Sequence, residues 1–194
     1  MNIILIHGSN KNDRENTIKY NLPPQNKRDW IPWLKQEIEK INIKIETPLM
    51  PENWSPNYNK WKNQLEKLQI NKNTILIGHS AGADFLTRWL GETKTKIKKL
   101  ILIAPGILWK NYSQEYSNLC NFKINPEIKK NINQIIIFVS NNDHKKILES
   151  VNEYSKKLEI KPIILKNRGH FVKKKQNQKE INSKFPELLN KILE

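Results

Sequence analysis

Six short runs rich in isoleucine and leucine punctuate the chain at 2–6, 42–45, 74–77, 100–104, 134–139 and 162–165. Most lack the polar alternation of a strand with one wet face. Between them lie stretches with apolar residues at helical spacing, over 30–40, 57–68, 81–90, 145–158 and 180–193. Continuous apolar strands alternating with helices predict a parallel sheet covered on both faces. The expected fold is therefore α/β, a three-layer α/β/α sandwich around a six-stranded, mainly parallel sheet. A length of 194 residues suits one well-buried domain and is short for two. No repeat or low-complexity linker divides it, so one domain over 1–194 is expected. Gly91 falls where the helix 81–90 should end, the place of a C-cap glycine.

The third run leads into Gly78-His79-Ser80-Ala81-Gly82, a G-x-S-x-G pentapeptide, and then into the helical stretch. Strand, sharp turn and helix around a serine resemble the nucleophile elbow of the α/β-hydrolases. A serine on so tight a turn brings the residues two before and two after it together, so neither carries a side chain.

Acyl transfer by a serine needs a base, a group that orients the base, and donors for the oxyanion. In a doubly wound sheet these come from the carboxyl ends of strands. Asp143 follows the run 134–139, and His170, in Arg168-Gly169-His170-Phe171, follows the run 162–165. The chain order Ser80, Asp143, His170 is that of the α/β-hydrolases. Asp84 competes poorly, lying inside the helix after the serine and pointing away from a strand end. Asp13 and Asp29 flank a polar loop, and the glutamates lie mostly on amphipathic helices as solvated charges. His144 offers no separate strand end and is expected on the loop surface or, at best, at a pocket wall. His79, inside the pentapeptide, is expected to be structural.

The oxyanion donors should be two backbone N–H groups, from the residue after the nucleophile and from the loop after the first strand. Those are Ala81 and, in His7-Gly8-Ser9-Asn10, Ser9. Gly8 allows the backbone to pass close to the serine, and His7 is expected to brace the loop by side-chain hydrogen bonds.

Two connections are long. Residues 9–29 are polar and read as a mobile loop. Residues 105–133 carry Trp109, Tyr112, Tyr116 and Phe122, which suits a small lid but equally a segment glued to the core. Trp54, Tyr58, Trp61 and the segment 105–122 are expected to wall the pocket.

Formal net charge is +15, which raises the question of nucleic acid. The lysines, however, are spread along the chain, and arginine, the bidentate reader of phosphates and base edges, occurs only at 14, 28, 88 and 168. Lys, Asn and Ile share A/T-rich codons, so genome bias accounts for the composition; solvated lysine faces and no specific nucleic-acid partner are expected. The chain opens on Met1 and an apolar strand with no basic leader, and no run is long enough to span a bilayer. A lone Cys120 excludes an internal disulfide. The expectation is a cytoplasmic protein, with oligomeric state undetermined.

The chain resembles the small serine hydrolases of the retinoblastoma-binding protein nine/YdeN type, within the α/β-hydrolase superfamily. The resemblance rests on Ile4-Leu5-Ile6-His7-Gly8, the tryptophan region 30–34, Pro48-Leu49-Met50-Pro51 followed by Trp61, the pentapeptide, Ser140-Asn141-Asn142-Asp143 and Gly169-His170-Phe171. It implies a minimal α/β-hydrolase fold without a large cap, a Ser80/Asp143/His170 triad, a small-molecule acyl substrate, and no metal or organic cofactor. Two departures stand out. The family's glycine-rich turn after the His-Gly pair is replaced by the segment 9–29, and His144 stands where proline is usual. The expected activity is hydrolysis of carboxylic esters or related acyl compounds. The alternatives are a catalytically silent interaction module that kept the fold, and a polyanion binder using the lysine surface.

Overall fold

A computed structural model describes residues 1–108, 114–173 and 181–194. The six apolar runs form strands β1 (Asn2–Ile6), β2 (Lys44–Glu46), β3 (Thr74–His79), β4 (Ile97–Ile103), β5 (Ile132–Ser140) and β6 (Ile163–Leu165). They make one sheet in the order β2-β1-β3-β4-β5-β6. All five pairings are parallel, so the sheet is wholly rather than mainly so. Ile3 to Ile6, Ile75 to Ile77 and Leu100 to Ile103 are fully buried. Covering such side chains on both faces stabilises the fold by about 1.5–3 kcal/mol each.

The helices are α1 (Asp13–Lys19), α2 (Ile31–Lys40), α3 (Tyr58–Leu65), α4 (Ala81–Thr93), α5 (Gln114–Leu119), α6 (Lys145–Leu158) and α7 (Pro186–Leu193). They cover both faces: α2 meets α7, while α3 and α5 meet α4. Trp30 and Phe138 pack edge-on against Phe185 on one face, and Tyr58 and Trp61 against Phe85 on the other. Among the described residues no helix is long and apolar enough to cross a membrane.

Three sequence expectations change. Gly91 does not end α4; the helix runs on to Thr93, and Lys94, at φ 54°, takes the left-handed cap position. The stretch expected to be helical over 180–193 is split into a 3-10 turn at Ile181–Ser183 and α7, because Pro186 cannot sit inside a helix but fits its first turn. Lys99 is not on a solvated face. It is 2% exposed in β4, and its ammonium donates to the Lys191 carbonyl in the last turn of α7, the negative end of that helix.

Strand order reverses between β1 and β3, so the connections leaving these neighbours part to opposite sides. A crevice opens at such a point beyond the carboxyl ends of the strands. Ser9 leaves from β1 and Ser80 from β3 at that crevice.

Candidate active site

Ser80 sits between β3 and α4 at φ 52°, a left-handed conformation that costs a non-glycine residue about 1–3 kcal/mol. Its N–H donates to Ile103 of β4 at 2.8 Å, and its carbonyl accepts from Ala83 and Asp84. Both glycines of the pentapeptide are required by contact. A Cβ on Gly78 would lie 2.6 Å from the Gly82 carbonyl oxygen, and one on Gly82 would lie 2.3 Å from that of Ile6. The Ser80 hydroxyl makes no cap bond to its helix.

That hydroxyl lies 2.9 Å from His170 Nε2. The other ring nitrogen, Nδ1, lies 2.9 and 3.1 Å from the two oxygens of Asp143. With a carboxylate as acceptor, Nδ1 carries the proton and Nε2 is left to accept from the serine. The Asp143 side chain is 1% exposed and that of His170 26%, so the carboxylate is shielded while the imidazole edge reaches solvent.

A ladder of side chains explains how residues 27 apart in sequence align. After β5, Asn141 Oδ1 accepts from Asn167 N–H, Ser140 Oγ from Arg168 N–H, and Asn142 Oδ1 from Gly169 N–H. Asp143 then meets the next residue, His170. Three short polar side chains thus zip the loop after β6 onto the loop after β5, each satisfying a backbone donor the sheet no longer serves. The far side is held by Asn182 Nδ2, which donates to the carbonyls of Arg168 and Val172, and by Trp30 Nε1, which donates to that of Phe171. Ser140, Asn141, Asn142 and Asn182 are positioning residues to which the sequence reading assigned no such role. Turn-forming Asn and Ser at a strand end were the available signal.

The other histidines have definite partners. His7 is fully buried; its Nε2 accepts from Met50 N–H at 2.9 Å and its Nδ1 lies 2.7 Å from the Gly8 carbonyl. Burial lowers its pKa from 6.5 to about 4. It is neutral at pH 7, as an imidazole that both accepts and donates must be. His79 Nε2 donates to the His170 carbonyl at 3.0 Å. His144 lies on the loop surface, as expected, and not at the cleft wall; it caps α6, its Nδ1 accepting from Lys146 N–H. A Cβ on Gly8 would come 3.1 Å from Ser80 Cβ, so the backbone leaving β1 lies against the serine. Ala81 opens α4, where the first N–H groups have no acceptor within the helix.

Asp84 was set aside as a competitor, yet it is fully buried. It accepts from Gly106 N–H, in the loop after β4, from Tyr116 on α5 and Tyr154 on α6, and from the Cys120 thiol. Burial raises its pKa from 3.8 to about 6. These bonds dock the described part of 105–133 on α4 and α6, with Leu108 N–H on Ser150 and Arg88 on the Asn118 carbonyl besides. No described residue of that segment walls the cleft, and Trp109 and Tyr112 lie outside the described residues.

The two buried titrating groups oppose each other. The unfolded chain binds His7's proton more readily, so its contribution to stability is complete above pH 6.5 and lost as pH falls towards 4. For Asp84 the folded chain binds the proton more readily, so its contribution is complete below pH 3.8 and lost as pH rises through 6. Each is worth about 3 kcal/mol. Asp84→Asn removes one arm, so its melting temperature should fall further below that of wild type as pH drops from 6.5 to 4. Thermal scans across that range check this, and parallel profiles would contradict it.

The cleft holding Ser80 and His170 has a volume of about 1010 Å³. Its walls come from the loop 8–29, the first turns of α2, and residues 170–173 and 183. The expected walls Trp54, Tyr58 and Trp61 are elsewhere: Trp61 is buried against His7 and Phe85, and Tyr58 bonds Glu92 beneath Arg88. The segment 9–29 is more than a loop, since it carries α1 and a 3-10 turn at Gln25–Lys27. Asp13, expected to flank a polar loop, is buried and pairs with Arg28, whose guanidinium also donates to Gln25 Oε1 and Thr17 Oγ1. Asn53 donates to the other oxygen of Asp13 and its carbonyl accepts from Asn10 N–H.

Residues 22–184 match the family model described as serine hydrolase. The chain belongs to the serine hydrolase family. Among solved structures it is similar to the ydeN gene product of B. subtilis, at a TM-score of 0.80 and 16% identity over 99% of this chain and 96% of that one. Est1E from Butyrivibrio proteoclasticus follows at 0.64 and 13%, covering 98% and 86%, and the methylesterase MES16 from Arabidopsis at 0.62 and 12%, covering 100% and 98%. No curated protein matches the chain in sequence. Its fold is shared with the ydeN gene product, and the family match gives hydrolase chemistry as its class.

Proposed function

We propose that this serine hydrolase cleaves carboxylic esters or related acyl compounds through an acyl-enzyme on Ser80, with Asp143 and His170 completing a catalytic triad. The observation that carries the reading is the unbroken series of hydrogen bonds from the Ser80 hydroxyl through the His170 ring to Asp143. A methylesterase among the structural relatives favours esters.

His170 Nε2 takes the hydroxyl proton as Ser80 Oγ attacks the carbonyl carbon. Asp143 holds Nδ1–H and offsets the charge on the imidazolium. The tetrahedral oxyanion is met by the N–H groups of Ala81 and Ser9. His7 supports the second donor through peptide geometry: C=O and N–H of a trans peptide point opposite ways. With the Gly8 carbonyl turned onto His7, the Ser9 N–H faces away from that ring. The intermediate collapses, His170 returns the proton to the leaving alkoxide, and the acyl group stays on Ser80. A water, deprotonated by the same nitrogen, then releases the acid and restores the serine.

A fluorophosphonate probe tests the reading, because it reacts only with an activated serine. One adduct per chain, mapped to Ser80 by peptide mass, is expected. Folded protein that takes up no label would point instead to the silent interaction module.

A further inference from the structure

The walls of the cleft mix polar and apolar surface: side-chain amides come from Asn10, Asn12, Asn16, Gln25 and Gln36, and apolar groups from Leu22, Pro23, Pro32, Trp33 and Val172. Three cations, Lys27, Arg28 and Lys173, face one carboxylate, Asp29. Arg28 is neutralised by Asp13. Among the described residues neither Lys27 nor Lys173 has a carboxylate within ion-pair distance. Lys173 N–H donates to Asp29 Oδ1 at 2.7 Å, which joins the stretch leaving His170 to the turn that carries Lys27. The bond spans 144 positions of sequence and ties the stretch that carries Lys173 to the turn after Lys27, and both lysines line the pocket that holds the serine.

We propose that the cleft selects esters carrying a negatively charged group remote from the scissile bond, and that Lys27 and Lys173 are the residues that select it. The inference rests on the hydrolase reading of Ser80. A volume of about 1010 Å³ leaves room beyond a short acyl chain. An anion there meets two ammoniums that give up no existing ion pair. The formal charge of +15 adds a field that draws anions in and that salt screens.

Two matched pairs of substrates test this at about 20 mM ionic strength: mono-4-nitrophenyl adipate against 4-nitrophenyl hexanoate, and 4-acetoxybenzoate against 4-acetoxybenzamide. The first places the charge on the acyl side, the second on the alcohol side. In at least one pair kcat/KM should favour the anion by about fivefold to tenfold, as two exposed ion pairs allow. The ratio should collapse towards one in Lys27→Gln/Lys173→Gln, reverse in Lys27→Glu/Lys173→Glu, and shrink in 0.5 M NaCl. The ratio within each variant is the readout, so a general loss of rate does not mimic the result. Hydrolysis of the neutral esters with no anion preference in either pair overturns the assignment and leaves the hydrolase reading intact. So does a preference that survives both lysine variants. Absence of hydrolysis of all four esters overturns both.

Discussion

Ser80→Ala is expected to lower kcat for an activated short-chain ester by about a millionfold, leaving a small residue from binding and from the oxyanion donors. The substitution removes the only atom that can form the acyl-enzyme, and the vacated space accommodates a methyl group on a turn that already holds a Cβ. Stability should change little. The hydroxyl makes no cap bond to α4 and its one hydrogen bond is to a partly exposed imidazole. Asp143→Asn separates orientation from charge. An amide can hold the ring in place, but its NH₂ can face Nδ1 only if the proton moves to Nε2, where it blocks acceptance from Ser80. A loss of about ten-thousandfold in kcat, with KM nearly constant, is the expected outcome. Steady-state kinetics on both variants, with circular dichroism to confirm the fold, settle the matter. Ester turnover that survives Ser80→Ala would remove the serine from the mechanism.

What could be read without coordinates follows from where the physics is local. A strand buried on both faces has no polar alternation, so all six strands are visible as apolar runs. The ends of α6 are equally plain, because its apolar stripe stops where polar turn residues begin. Ser80, Asp143 and His170 are recognisable as candidates because each follows such a run, and a parallel sheet delivers all its carboxyl ends to one rim. The cleft walls are a different case. Whether 9–29 or 105–122 flanks the serine depends on contacts between distant residues: Asn53 with Asp13, Lys173 with Asp29, and Trp30 with the Phe171 carbonyl. Nothing in either segment names its partner. Asp84 illustrates the same limit, since a carboxylate in a helix looks solvated until Tyr116, Tyr154 and Gly106 are seen to converge on it.

Glycine in α4 carries the sharpest remaining test, because one helix holds two glycines with opposite expected responses to alanine. At Gly82 the added Cβ would stand 2.3 Å from the Ile6 carbonyl oxygen and 2.7 Å from that of His7. Both are backbone atoms at the end of β1, a strand paired on either side by β2 and β3, so they cannot yield. The helix must move instead, and it carries Ser80 at its head. Gly82→Ala should lose more than about 3 kcal/mol, beyond ordinary overpacking. Any folded fraction should also lose about a hundredfold in kcat, the effect of misplacing a nucleophile by an ångström. At Gly91 the added Cβ would meet Asn125 Cβ at 3.6 Å and Ile128 Cγ2 at 4.0 Å, ordinary van der Waals contact. Since α4 continues past this position, Gly91→Ala gains the helix propensity of alanine, about 0.5–1 kcal/mol, which is about 1–4 °C in melting temperature. Were Gly91 instead a left-handed cap, the same substitution would destabilise. Chemical unfolding of the two variants therefore reads both the crowding beneath the serine turn and the true end of the helix, and equal effects at the two sites would contradict the packing described.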